Sequence, residues 1–146
     1  MTVKNKLGLI ARVGATAALA TGLAVAFQPA AMAAAPVVTV TPATGLTDGA
    51  TVAVTGTGLT PGAIYHVAQC ELVTAGSYGC DPASVVNIAA DAQGKLTTQI
   101  TVHASFAAVE GAEGTPAGTV DCKVSACQVG LGDDAGVGGG QQITFK

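Results

Sequence analysis

Short β-branched runs, each closed by glycine or proline, constrain this chain more than any other feature. Val38-Thr39-Val40-Thr41 is β-branched throughout and ends at Pro42 and the Gly45 to Gly49 region. Thr51-Val52-Ala53-Val54-Thr55 alternates apolar and polar residues with the period of two that a half-buried strand shows. Gly56, Gly58, Pro61 and Gly62 then turn the chain into a longer strand, Ile64 to Leu72. Further strands are predicted over Val85 to Ala89, Lys95 to His103, Thr119 to Lys123, Gln128 to Leu131 and Ile143 to Phe145. Turns or loops fall at Ala75-Gly76-Ser77, Asp91 to Gly94, Gly111 to Gly118 and Gly132 to Gly140. Almost no stretch carries helical periodicity. Many short strands with frequent turn signals make the chain all-β, an antiparallel sandwich of immunoglobulin-like type.

The first residues read as an address. Lys4, Lys6 and Arg12 precede an uncharged run from Val13 to Phe27, and Ala31-Met32-Ala33 offers the small residues a signal peptidase reads. The run is too short and too rich in Ala, Gly and Thr to span a bilayer core of ~30 Å. Residues 1–33 are therefore expected to be a secretory signal peptide, removed to leave a single domain over 34–146 that is secreted and not held by a membrane. That domain keeps Lys95, Lys123 and Lys146 against all nine carboxylates, six negative charges in excess. Such a surface repels a polyanion at long range, so direct grip on nucleic acid is excluded as the main function.

Four cysteines, Cys70, Cys80, Cys122 and Cys127, remain in that domain. An even count in a small secreted chain points to two disulfides, with three connectivities open and the local pairing the simplest. The first pair is spaced too widely for a common zinc hook, and no metal site is expected. Closing either short loop stabilises the fold by roughly 2–3 kcal/mol in the chain-entropy model. That matters where aromatic residues are only 3% of the chain and Trp is absent.

Catalytic signatures are lacking. There is no Gly-x-Ser-x-Gly elbow, Walker loop or His-Glu-x-x-His. His66 and His103 are the only histidines, and a Ser105–His–Asp91 set is the kind any chain of this size offers. Asp91, Asp133 and Asp134 read as solvated turn carboxylates. The chain is not expected to be an enzyme, and it needs no cofactor for chemistry.

Alternation along Ile64 to Leu72 puts Ile64, His66, Ala68, Cys70 and Leu72 on one face and Tyr65, Val67, Gln69 and Glu71 on the other. Gln128, Gly130 and Gly132 likewise share a face. Two readings follow. The small residues are packed core, or the two faces oppose each other and leave a hollow with His66 and Gln128 as its polar groups. Apolar hollows with a few placed polar groups hold small molecules.

Several segments resemble the enediyne chromoprotein apoproteins of the neocarzinostatin and macromomycin family. They are Ala34 to Leu46, Tyr65 to Cys70, Cys80-Asp81-Pro82-Ala83, Ala90 to Gly94, Ser105-Phe106, Gly118 to Cys122 and Ala126 to Leu131. Thr60-Pro61-Gly62, Tyr65-His66-Val67 and Gly114-Thr115-Pro116 are similar to the macromomycin side of that family. The resemblance implies a seven-stranded sandwich with an added β-hairpin and a cleft between them. It also implies the pairings Cys70–Cys80 and Cys122–Cys127. The function it implies is that of a secreted, monomeric apoprotein that binds an enediyne chromophore non-covalently, stabilises it and delivers it. DNA is then a target only of the released chromophore. The implied cleft residues are His66, Ala68, Cys70 and Leu72 from the long strand, Tyr78, Cys80 and Val85 beyond it, and Gln128, Gly130 and Gly132. Leu72, Val85 and Ala117 stand where neocarzinostatin has aromatic side chains, Gly111 or Ala112 near its hairpin Phe, and Gly132 in place of a Ser. Tyr78 is then the main aromatic of the cleft. The alternative is an immunoglobulin-like module for another small ligand or a cell-surface partner.

Overall fold

The computed structural model describes residues 34–74 and 77–146; the expected signal peptide lies outside the described residues. Ten strands follow one another along the described chain. They are β1 (Val37–Thr41), β2 (Ala50–Thr57), β3 (Ile64–Thr74), β4 (Ser77–Cys80), β5 (Val86–Ala89), β6 (Leu96–Val102), β7 (Ser105–Glu110), β8 (Thr115–Asp121), β9 (Cys127–Gly132) and β10 (Gly138–Ile143). A single 3-10 turn, Pro82–Ser84, is the only helical element among the described residues. Asp81 caps it, its Oδ1 accepting from Ala83 N–H at 2.9 Å.

All pairings between these strands are antiparallel. A three-stranded sheet runs β1-β2-β6, and a larger sheet runs β10-β9-β3-β4-β7-β8, with β5 also on β3. Seven strands make the sandwich proper: β1, β2 and β6 in one layer, and β10, β9, β3 and β5 in the other. The β7–β8 hairpin extends from it as a ribbon, joined to β4 through the Cys80–Val109 pair.

The period of two explains the core. β2 buries Val52 and Val54, β6 buries Leu96, Ile100 and Val102, and β9 buries Cys127, Val129 and Leu131. β3 sends Tyr65, Val67 and Gln69 inward, each fully buried. Burying a Val or Leu side chain stabilises by about 1.5–3 kcal/mol, so these small aliphatics together supply the driving force that scarce aromatics do not. Tyr65 is the largest of the fully buried side chains, and its hydroxyl accepts from Thr60 N–H at 3.0 Å.

Several segments differ from the sequence expectation; one is residues 115–118, expected as loop but the opening part of β8, where Pro116, Ala117 and Gly118 carry little β propensity. Ser77–Cys80 and Ser105–Glu110 are strands. The first is short and holds a glycine; the second is built on alanines, which carry little β propensity. The glycine-rich tail is a loop only to Val137, since Gly138–Ile143 pairs fully with β9. Its three glycines have no side chains to pattern, so their strand character is invisible to periodicity.

Candidate functional site

Strands β3 and β9 lie side by side in the larger sheet, pairing His66 with Gly132, Ala68 with Gly130 and Cys70 with Gln128. The core takes the Tyr65–Val67–Gln69 face. The other face, expected to be either packed core or one side of a hollow, is the outer surface of the sheet. The two faces do not oppose one another as anticipated; they are adjacent and form a continuous floor. Adjacent strands in one sheet must share faces, and that pairing could not be read from either strand alone.

Above this floor lies a cleft of about 940 Å3, within the range of small-molecule sites. Tyr78, Cys80 and Val85 border it on one side, and Val109 with Gly111, Ala112 and Gly114 at the ribbon tip overhangs it. The loop from Asp133 to Gly136 and the glycines of β10 close the other side. Nine of the ten residues singled out from the sequence line this cleft. Leu72 is the exception: it sits in a neighbouring hollow of about 220 Å3, which shares Tyr78 and Gln128 with the main cleft. Leu72, Tyr78 and Val85 are 54%, 48% and 43% exposed. Large apolar side chains left open together around a concavity mark a binding surface more than a solvated one.

The glycines of the site have two different causes. A Cβ at Gly138 would overlap the Leu131 carbonyl oxygen, and one at Gly139 would sit 2.9 Å from the Pro36 carbonyl oxygen. These two are glycine because backbone crowds them. A Cβ at Gly132 would meet nothing closer than the Val137 carbonyl oxygen at 3.9 Å, and one at Gly130 would meet only the Gly139 carbonyl oxygen, at 3.3 Å. At Gly132 above all, the missing side chain enlarges the cleft.

Polar groups are few. His66 Nδ1 lies 2.7 Å from Asn87 Oδ1 and Nε2 lies 3.1 Å from Asp134 Oδ1. Both partners are acceptors, which favours the imidazolium. The pKa of His66 is raised, first by the Asn87 hydrogen bond and then by Asp134, against a small desolvation penalty. Sequence reasoning missed Asn87, which faces His66 across the β3–β5 pair, and took Asp134 for a solvated turn carboxylate. Asp133 does serve the turn, its Oδ1 accepting from Ala135 N–H at 3.0 Å and Val137 N–H at 2.8 Å.

The supports behind the floor are also polar. Gln69 Oε1 accepts from His103 N–H and Nε2 donates to the His103 carbonyl, both at 2.7 Å. Ser84 Oγ accepts from Gln69 N–H and donates to the Asp81 carbonyl, both at 2.9 Å. Asp81 Oδ2 lies 2.7 Å from His103 Nδ1. Disulfides join Cys70 to Cys80 across β3 and β4, and Cys122 to Cys127 where the ribbon returns to β9. Asp91 binds the N–H groups of Gln93 and Lys95 within its own turn, so it orients neither histidine. The described residues hold no group of three or more His, Cys, Asp or Glu that could bind a metal.

Residues 38–145 match the neocarzinostatin family. The chain is 54% identical to macromomycin of Streptomyces macromomyceticus over 143 residues, 98% of this chain and 99% of that one. It is 37% identical over 81 residues to the antitumor antibiotic C-1027 apoprotein of Streptomyces globisporus, 56% of this chain and 55% of that one. The solved structure of macromomycin superposes with a TM-score of 0.75 at 59% identity, and the solution conformation of apokedarcidin with 0.61 at 32%. Each covers 77% of this chain and 100% of its own.

Proposed function

The chain belongs to the neocarzinostatin family, and from that footing we propose that it is a carrier apoprotein whose outer-face cleft holds an enediyne chromophore without a covalent bond. The chain is a binding protein and not an enzyme. The cleft of about 940 Å3 with its glycine and alanine floor carries this reading. A bulky, strained ligand needs room, an apolar lining and a frame that does not bend. Ala68, Gly130 and Gly132 supply the room, Val85, Val109 and Tyr78 the lining, and the bridged sandwich the frame. An enediyne is activated by thiols, and all four cysteines of the described domain are oxidised.

Residues 1–33 would export the chain and be removed, so the carrier would act outside the cell as a monomer. No helix among the described residues is long and apolar enough to cross a membrane. The excess of carboxylates keeps the carrier itself off DNA, which would be met only by released chromophore.

A native mass spectrum of the protein from its producing culture tests the proposal. The expected result is a non-covalent adduct that dissociates on gentle activation and is absent from Gly132→Leu protein. Leucine at that position has room for its Cβ and projects into the cleft, so the fold is retained while the ligand is displaced. A native protein free of cargo, or a Gly132→Leu protein that keeps it, overturns the assignment.

A further inference from the structure

Three consecutive glycines, Gly138, Gly139 and Gly140, form the part of the cleft wall that β10 supplies. They are its least self-supporting stretch. Glycine loses the most backbone freedom on folding, and it buries no side chain in return. Within the larger sheet β10 is also the outermost strand, paired on one side only, to β9. What lies beneath it comes from the other end of the described chain. An added Cβ at Gly139 would sit 2.9 Å from the Pro36 carbonyl oxygen and 3.4 Å from Val38 Cγ2. One at Gly58, just after β2, would lie 3.8 Å from the Ala34 and Ala35 carbonyl oxygens and from Pro36 Cα. Ala34 to Pro36 therefore run between that turn and β10, and both are glycine where the segment crosses. Further along, Gln141 Oε1 accepts from Val40 N–H at 2.7 Å, which ties β10 to β1.

We propose that Ala34-Ala35-Pro36 is a positioning segment of the cleft: it braces the glycine wall from behind, and its loss lets that wall open. Gly138 and Gly140 pair with Gly132 and Gly130 of the cleft floor. Gly139 alternates with them, so the contact with Pro36 falls on the opposite face. The brace rests on this packing alone; what the braced wall retains rests on the carrier reading above. On cleavage after Ala33, these three residues begin the secreted chain, and the new N-terminus makes the brace. Proline suits that place, because its fixed φ leaves less freedom to lose on folding. Ala34 and Ala35 are exposed and Pro36 is half-buried. The segment thus adds little to the core, and removing it acts on β10 and not on the sandwich as a whole.

Deleting residues 34–36 from the full-length chain, so that Val37 follows Ala33, tests the brace. In cargo-free secreted protein, amide hydrogen exchange at Gly138, Gly139 and Gly140 should accelerate by about tenfold, as for a local opening. Exchange at Val52 and Ile100, in the core of β2 and β6, and the urea midpoint should stay near wild type. Native mass spectra of the cargo-bearing protein should show a matching loss of retention. Pro36→Gly keeps the chain length and loosens the same segment. It should accelerate the same three amides to a lesser degree, and it decides the matter if the shortened chain does not fold. Unchanged exchange at the three glycines overturns the brace, as does equal acceleration throughout β2 and β6, the mark of a general loss of stability. Faster exchange at the glycines with full retention overturns the role in holding a ligand. The exchange is read without cargo, so a native protein that carries none sinks the carrier reading and not the brace.

Discussion

The side chain of Gln69 and the backbone of His103 form a closed two-point ring, with each hydrogen bond 2.7 Å long. Gln69 is fully buried on the core side of β3, next in sequence to Cys70 of the cleft floor. His103 sits at the corner between β6 and the ribbon. The ring therefore ties the floor of the cleft to the root of its overhanging wall. Asp81, beside Cys80, reaches the same histidine from the third side. Buried polar groups of this kind rigidify when fully satisfied, and no buried side-chain polar atom lacks a partner among the described residues. The rigidity of the site is thus set one layer beneath the surface that a ligand would touch.

Removing that ring should be costly. Gln69→Leu leaves the His103 N–H and carbonyl without partners, and an unsatisfied buried group costs about 1–3 kcal/mol. The expected loss is about 3 kcal/mol in urea unfolding. Gln69→Glu discriminates further. A neutral carboxylic acid can still donate to the His103 carbonyl, whereas a carboxylate cannot. Its folded-state pKa is then raised above the unfolded value of about 4.3, so the variant should be closest to wild type below that pH and lose stability as pH rises. A pH-independent difference between Gln69→Glu and wild type contradicts the ring.

His66 should titrate above its ordinary value of about 6.5, since Asn87 and then Asp134 favour its charged form. A raised folded-state pKa means that the contribution of the His66–Asp134 contact is complete below the unfolded pKa and is lost as pH rises through the folded one. The loop from Asp133 to Val137 is therefore held most firmly in mild acid. An NMR titration of the His66 ring protons should show the upward shift. Asp134→Asn should reduce it, and salt near 1 M should weaken it, because the pair is exposed and screened. A His66 pKa that is unmoved by Asp134→Asn removes the loop tether.

The disulfides should act unequally on the site. By loop length, the Cys70–Cys80 bridge contributes about 3 kcal/mol and the Cys122–Cys127 bridge about 2 kcal/mol. Only the first lines the cleft. Replacing both of its cysteines by alanine should lower unfolding stability by about that amount and also reduce cargo retention. Replacing Cys122 and Cys127 should lower stability while retention falls less. Denaturation curves and native mass spectra of the two double variants separate the effects.

Most of the sandwich was legible because β1, β2 and β6 are rich in β-branched residues whose apolar members recur with a period of two and report the buried face. The local pairing of the cysteines, implied by family resemblance, is what the structure shows. What stayed hidden lacks side-chain pattern: β7 is built on alanine and the start of β10 is three glycines. The site residues on β3 and β9 were visible as a set of small residues, but their adjacency depends on strand order, which is a long-range property. Leu72 shows the same limit. Alternation places it on the floor face, yet Leu72 lies one residue past the end of the β3–β9 pairing, which stops at Glu71 and Cys127, and so it borders the neighbouring hollow. Asn87 and Asp134 gave no signal of their own, because each matters only through a histidine distant in the chain.

Gly132 and Gly138 pair across β9 and β10, and they should respond to alanine in opposite ways. At Gly138 the new Cβ would overlap the Leu131 carbonyl oxygen, and backbone cannot swing aside as a flexible side chain does. The expected cost is about 2 kcal/mol, in the range of substitutions that force strain into packed backbone. At Gly132 the Cβ has ordinary clearance and the backbone lies outside the left-handed region. Alanine there restricts the unfolded chain and should stabilise by about 0.5 kcal/mol. The same methyl group stands in the cleft, so cargo retention should fall in the more stable protein and hold in the correctly folded fraction of the less stable one. Urea unfolding paired with native mass spectrometry on both variants reads the two effects independently. If Gly132→Ala neither stabilises the fold nor weakens retention, that glycine is not there to enlarge the cleft.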